Sequence, residues 1–313
     1  EVFIAPAMNC KMYEKLKMLS YSSIELLRTC PRKYQLTKLS ELSQRDSTIH
    51  TAFGSSLGAG IQSLLSNTSI DTALFAAFAA WHIDLDECDA KTDKSFTSVH
   101  NALLQFKSTQ YPTISQEYEL LTLPNGLPAV ELSASIELPD GFKYRLYIDA
   151  VLRRKSDGML TVLELKTTGS SWVNASSYKN SGQALGYSVV LDALAKELNT
   201  SSNYRVIYLV YKSKGKEFER FDFIKTVKDK LNWIDDMITE VRILKLYDKR
   251  ANYPMHGSKC QAFNRDCNFF GLCNMENSAL FDSAIANESP VEPVYNYYIS
   301  LDSLLEVMQN ATN

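Results

Sequence analysis

Tyr147-Ile148-Asp149-Ala150 and, one turn later in the chain, Thr161-Val162-Leu163-Glu164-Leu165-Lys166 decide how this sequence folds. Each belongs to a run in which apolar and polar residues alternate. The runs cover Ala129 to Leu138, Lys143 to Arg154 and Met159 to Lys166, and Pro139-Asp140-Gly141 and Ser156-Asp157-Gly158 separate them. Period-two alternation broken by Asp-Gly turns predicts three antiparallel strands in a meander. Strand geometry sends Glu164 and Lys166 to one face and Leu163 and Leu165 to the other. If the turns pair these strands, Asp149 lies beside Glu164.

Outward from this meander the pattern is helical. Ser22 and Glu25 stand in capping-box spacing at the head of a stripe of Ile24, Leu26, Leu27, Cys30 and Tyr34, which Pro31 should kink or end. Helical periods follow near 54–65, 70–81 and 100–110. Beyond the meander come a helix near 181–198, a β-branched and aromatic strand from Tyr204 to Tyr211, and a long amphipathic helix from Lys225 to Tyr247. The chain has 313 residues, 45% of them apolar and 22% charged, which suits a packed core and excludes disordered and fibrous classes. The apolar run Ala73 to Trp81 is too short to span a bilayer, so no membrane partner is expected. A formal charge of −3 leaves no whole-molecule basic field, so any contact with nucleic acid must use local charge. Six cysteines are too few for a disulfide scaffold, and a reducing, cytoplasmic compartment is expected.

Two carboxylates and an amine converging on one sheet face suit Mg²⁺-assisted phosphodiester hydrolysis. The carboxylates hold a hard cation, while Lys166 orients the attacking water and offsets phosphate charge. An isolated Glu-x-Lys would ordinarily be a solvated strand face. Cys260, Cys267 and Cys273 gather in a polar, loop-like segment with Lys259, Asn264, Arg265 and Asp266, where thiols without a ligand have little reason to collect. Three clustered thiols ask for a fourth ligand, and four thiolates suit a [4Fe-4S] cluster or Zn²⁺.

Asp149 followed by Glu164-Leu165-Lys166 resembles the motif of the PD-(D/E)XK nuclease superfamily. Gln183 and Tyr187, one helical turn apart, are similar to the Gln-x-x-x-Tyr motif of its RecB-like members, including the AddB-type and CRISPR-adaptation nucleases. The resemblance runs from about Ser20 to Met275. It implies an α/β, restriction-endonuclease-like core, with a central mixed β-sheet flanked by helices, an N-terminal helical region and a C-terminal iron–sulfur clasp. It further implies Mg²⁺ or Mn²⁺ held by Asp149, Glu164 and the backbone carbonyl of Leu165, with Gln183 and Tyr187 facing the metal and the DNA. Glu131 resembles an acidic position upstream of the motif Asp and would add a weaker ligand. Cys30, in Thr29-Cys30-Pro31-Arg32-Lys33-Tyr34, fits the upstream cluster position, and Cys260, Cys267 and Cys273 fit the downstream triplet. Relatives often carry a metal-binding His in a Gly-x-x-x-His pattern on an early helix. Here Gly54 is followed by Gly58 at that place, with Gln62 a turn further on. Ala5-Pro6-Ala7-Met8-Asn9 is similar to a signature of flavoprotein decarboxylases, but the flavin-binding segment expected upstream of it is absent from this chain.

The expected activity is a metal-dependent DNA nuclease, an exonuclease on duplex ends or single strands. It would serve repair or recombination in a bacterial or phage-infected cytoplasm. The rival expectation is a nuclease fold that binds DNA with weakened chemistry. Expected divisions are a leader at 1–17, a helical region at 18–127, a nuclease core at 128–250, a cluster segment at 251–280 and a tail at 281–313. Expected DNA contacts are Arg28, Arg32, Lys33, Arg153, Arg154 and Lys179, with Tyr34, Trp172, Tyr178 and Tyr187 stacking on bases.

Overall fold

A computed structural model describes residues 16–39, 48–81, 93–200, 204–262, 265–274 and 299–300. Cys10, Cys88 and most of the segments 1–17 and 281–313 lie outside them. The described chain opens with β1 (Met18–Leu19), α1 (Tyr21–Thr29), α2 (Pro31–Tyr34), α3 (Ile49–Leu65), α4 (Ile70–Ala79), α5 (Phe96–Gln105) and α6 (Tyr111–Glu117). It continues with β2 (Tyr118–Leu120), β3 (Val130–Glu137), β4 (Lys143–Arg154), β5 (Leu160–Thr168), α7 (Ala175–Lys179), α8 (Gly182–Glu197) and β6 (Tyr204–Lys212). Last come β7 (Glu217–Lys225), α9 (Val227–Lys249), β8 (Gln261–Ala262), β9 (Arg265–Asp266) and β10 (Ile299–Ser300). No helix among the described residues is long and apolar enough to cross a membrane.

The contacts divide the chain into two units. One comprises Glu1–Arg45, Ser135–Leu146 and Asn232–Asn296; the other comprises Asp46–Ala134, Tyr147–Leu231 and Tyr297–Asn313. In the first, β1 pairs in parallel with the start of β4, Met18 opposite Lys143 and Leu19 opposite Tyr144. Helix α1 begins earlier than Ser22. Extended Ser20 is its cap: the Ser20 hydroxyl accepts from the Ser23 amide at 3.3 Å, and Ser23 Oγ accepts from the Ser20 amide at 2.7 Å. Ser23 therefore closes the reciprocal box that the sequence assigns to Glu25. The helix stops at Thr29 because Cys30 is extended and Pro31, with no amide hydrogen to donate, opens α2 as its first residue. Ile24, Leu27, Tyr34 and Leu36 are buried, and Trp233 meets Tyr144 edge-on with centroids 5.0 Å apart.

The second unit is built on a mixed sheet with the order β10-β3-β4-β5-β6-β7, and β2 also pairs with β4. The β4–β5 and β6–β7 pairs are antiparallel, whereas β5 and β6 are parallel from Thr161 opposite Arg205 to Thr168 opposite Lys212. A parallel pair needs a crossover, and α7 and α8 supply it. Helix α8 packs on β5 and β6, and the Lys230 amine, buried, ties α9 to α8 through both oxygens of Asp192 at 2.7 and 2.9 Å. On the other side Phe53, Leu57 and Ile61 of α3 join Ala150, Leu163, Ile207 and Leu209 in one apolar cluster. The sheet is thus flanked by helices on both faces, which is why its inner strands are apolar almost throughout.

Helices α3 and α5 cross at Gly60, where a Cβ would lie 2.6 and 2.7 Å from the methyls of buried Leu103. Gly60→Ala is therefore expected to lose about 1–2 kcal/mol of stability through overpacking, despite the better helix propensity of Ala. Shortening Leu103 to Val in the same chain should recover part of the loss. Denaturant midpoints of the two variants and the wild type check both expectations.

Candidate active site

The register of β4 and β5 sets Ala150 opposite Leu163 and Val151 opposite Val162, which carries Asp149 to the place opposite Glu164. Ala150 and Leu163 join the α3 cluster, so alternation turns Asp149 and Glu164 to the other face. Glu164 is only 2% exposed. Its Oε1 pairs with Lys166 Nζ at 2.6 Å, while Oε2 is buried without a hydrogen-bond partner among the described residues. Lys166 Nζ also donates to Gln183 Oε1 at 2.9 Å, and Gln183 Nε2 donates to the Tyr187 hydroxyl at 2.5 Å. The i, i+4 spacing on α8 thus yields one connected chain from Glu164 to Tyr187.

Asp149 Oδ2 accepts from the Leu165 amide at 2.7 Å. Glu131 enters from β3, and its Oε1 accepts from Gln62 Nε2 at 2.6 Å. The same Gln62 amide reaches the Asp149 carbonyl oxygen at 3.2 Å. Glu131 has a left-handed backbone, φ +47°, inside a strand. That conformation is uncommon for a residue with a Cβ and is typical of places where a side chain is re-aimed.

Burial is the main force on all three carboxyls and pushes each above the ordinary carboxylate range. Asp149 is raised well above it, with the Glu164 charge as the next cause; Glu164 and Glu131 are raised less. Lys166 works against burial at Glu164, and the Gln62 hydrogen bond does so at Glu131. Burial likewise lifts the Tyr187 hydroxyl, with Glu164 and Asp149 adding to it, so this tyrosine stays neutral. Three mutually repelling carboxyls and an orphaned carboxylate oxygen fit a hard divalent cation, which would supply the missing counter-charge. They do not yet form a closed ligand shell: among the described residues no three His, Cys, Asp or Glu side chains stand ready to hold an ion.

A Cβ at Gly58 would meet nothing within 4 Å, so this position opens on free space. It borders a cleft that Lys166 and Leu165 also line. Gln62, a turn further on, donates its amide to Glu131 and to the Asp149 carbonyl oxygen. The amide orients a carboxylate.

In the first unit all four motif cysteines are free thiols in one neighbourhood. Cys30 sits in the break between α1 and α2, and Arg32 ties that break to the far segment, its amide donating to Pro254 O at 3.0 Å and its Nε to Cys273 O at 3.1 Å. The short β8–β9 hairpin returns Cys267 to Cys260, the Cys267 amide donating to Cys260 O at 2.7 Å. Cys267 and Cys273 pack against Leu36 and Phe269. Burial raises the Cys273 thiol, and Cys267, Cys30 and Cys260 raise it further, with Arg32 opposing them. Burial is thus the main reason that Cys273 stays a thiol, and among the described residues the cysteines do not form a closed ligand set.

Several of the expected DNA contacts have partners within the chain. Tyr34 and Tyr187 are buried, as is Arg32. Arg28 pairs with Glu240 at 2.6 Å, Arg154 bonds Asp157 at 2.8 Å, and Tyr178 stacks on Phe221 at 5.7 Å. Trp172 remains outward, 71% exposed.

Residues 18–274 match the PD-(D/E)XK nuclease superfamily, and the chain belongs to it. Among solved structures, a candidate exonuclease from Eubacterium rectale is 10% identical, with 94% of this chain and 97% of that chain covered and a TM-score of 0.47. A protein named SSO0001 is 13% identical over 87% of this chain and 98% of its own, with a TM-score of 0.35. No curated protein matches the chain.

The carboxyl repulsion has a measurable sign. Groups raised by folding hold more protons in the folded than in the unfolded chain, so metal-free stability falls as pH rises above the ordinary carboxylate range. Asp149→Asn keeps an oxygen for the Leu165 amide and removes the most strongly raised group. In chelator at pH 8 it is expected to melt roughly 2–5 °C above wild type, with the gap closing as pH falls toward 4. Thermal melts across pH check this.

Proposed function

We propose that this protein is a divalent-metal-dependent deoxyribonuclease, acting as an exonuclease on DNA ends or single strands. The observation that carries the reading is the convergence of Asp149, Glu164 and Lys166, with Glu164 Oε2 buried and unpartnered. Asp149, Glu164, the Leu165 backbone carbonyl and Glu131 would hold Mg²⁺ or Mn²⁺. Such an ion, when bound, would supply Lewis acidity at the scissile phosphate and lower the pKa of water. Lys166, paired with Glu164 at 2.6 Å, would offer charge to the phosphate and a donor to the attacking water. Gln183 fixes the Lys166 amine by accepting its hydrogen bond, and buried Tyr187 fixes Gln183. An oxygen-only donor set suits Mg²⁺ and Mn²⁺ better than metals that favour imidazole. The open position at Gly58 favours a second reading, a DNA-binding protein of weakened chemistry.

The gathered thiols support a clasp. Cys30, Cys260, Cys267 and Cys273 would hold a [4Fe-4S] cluster, or zinc in its place, joining segments distant in sequence and stabilising the fold through loop closure. Keeping these thiols reduced fits a cytoplasmic setting. The divisions that follow are a helical region at 18–127, a nuclease core at 128–250 and a cluster segment at 251–280.

End-labelled single- and double-stranded DNA incubated with the protein in Mg²⁺ or Mn²⁺ tests the activity. Asp149→Ala, Glu164→Ala and Lys166→Ala are each expected to lower the cleavage rate by about two to three orders of magnitude with the fold retained. Gln183→Ala should cost about ten- to a hundredfold, as a group that orients another. A clean Glu164→Ala preparation at full rate sinks the assignment. Salt-sensitive DNA binding without cleavage by wild type favours the binding reading instead.

Protein purified without oxygen should contain iron and sulfide in cluster proportion, and Cys267→Ser should lose both and unfold more readily. Stoichiometric zinc without iron would make the clasp a zinc site.

A further inference from the structure

Strand β7 ends the sheet. Among the described residues only β6 pairs with it, from Tyr204 opposite Lys225 to Lys212 opposite Glu217, so its other edge presents backbone amides and carbonyls with no strand beside them. Sheet edges are usually guarded against a further strand by proline, a bulge or charge. Glu217–Lys225 contains no proline, and its register with β6 is unbroken, so no bulge turns the edge away. Charge is the remaining guard, and here its order is self-complementary.

Opposite residues of an antiparallel pair share a sheet face, so a second copy of β7 can lie along the first only in registers two residues apart. In the register centred on Phe221, Arg220 of each copy faces Asp222 of the other, Phe218 faces Ile224, and Glu217 faces Lys225. A slip of two residues either way sets Arg220 against Arg220 or Asp222 against Asp222. The sequence thus favours one register and penalises its neighbours, as a specific pairing requires. Lys225 is buried with its amine on the Lys179 carbonyl, so the central pair carries most of the electrostatic argument.

The side chains at the edge are already in place. Arg220 meets both oxygens of Asp222 at 3.0 Å within one chain, and two such pairs would close a network of four charges about the axis. Ile224 is 61% exposed, and Phe218 of a second copy would cover it. Phe221, on the axis, is stacked against Tyr178 with centroids 5.7 Å apart.

We infer that β7 is a homodimer interface: two copies pair antiparallel through residues 217–225 about an axis at Phe221, joining their sheets into one. Phe221 stands opposite Tyr208, and Tyr208 opposite Glu164. One row of residues therefore runs from Glu164 of one copy to Glu164 of the other, five strand spacings or about 24 Å apart, with both carboxylate sites on the same face of the joined sheet. The inference stands apart from the nuclease reading.

Sedimentation velocity of the full chain over about a hundredfold range of concentration is expected to show a reversible monomer–dimer equilibrium, of the modest strength that a strand-sized contact supports. Arg220→Asp sets like charges against each other at the central pair, and so does Asp222→Arg. Each variant alone should dimerise roughly a hundredfold more weakly. Mixed in equal amounts, the two should form a heterodimer near wild-type strength, because each then meets its opposite charge. Circular dichroism melts establish that each variant is folded. Should either fail to fold, Ile224→Lys, at an exposed position, takes their place and is expected to weaken the dimer about tenfold. Hydrogen exchange supplies a second readout, since alternate amides of 217–225 should exchange more slowly in the dimer. A wild type that stays monomeric at every concentration overturns the inference. So does a mixture no more dimeric than its components, an Ile224→Lys dimer of full strength, or a dimer protected elsewhere than at 217–225.

Discussion

Putting carboxylates inside an apolar sheet is the constraint on which the rest of this molecule depends. Asp149 and Glu164 each stand one residue beyond the last pair of the β4–β5 ladder with Glu131 within electrostatic reach, and all three are pushed toward the protonated form. Such a grouping costs stability unless something offsets it. Lys166, the Leu165 amide and the Gln62 amide each offset part, and one oxygen of Glu164 remains unmet. The flanking helices matter because they deliver these polar groups to an interior site. Helix α8 delivers Gln183 and Tyr187, and α3 delivers Gln62.

Much of this was legible in the residues. Alternation along 143–154 and 159–166, with Asp-Gly turns, reports strands and faces directly, because strand period is a local property. The neighbourhood of Asp149 and Glu164 follows once the register is known. The role of Gln62 was not legible: its bond to Glu131 spans 69 residues of sequence separation, and no local pattern encodes such a pairing. The nearest signal was its position one turn beyond Gly58. The left-handed backbone of Glu131 was equally hidden, since glutamate gives no warning of a positive φ as glycine would. Cap placement failed for a simpler reason. Ser20, Ser22 and Ser23 are all competent caps, and only the extended backbone at Ser20 chooses among them.

The two units handle their reactive groups differently. In the unit that contains the cysteines, the thiols come from ends of short elements, the break at Cys30 and the hairpin that returns Cys267 to Cys260. Positions of this kind adjust to a bound group. In the unit that contains the carboxylates, the groups come from paired strands and two long helices, which allow little adjustment. Rigid presentation suits a site whose charges must be held against mutual repulsion.

The φ of +47° at Glu131 has a consequence for how this chain tolerates change over generations. Glycine or asparagine would occupy that backbone more comfortably, and either would also remove a buried acid. Either substitution would relieve the backbone and one of the raised carboxyls, but it would also take from the Gln62 amide the oxygen it donates to. Backbone comfort and polar pairing therefore pull in opposite directions at this one position, and the glutamate is kept in an uncommon conformation by what its side chain touches.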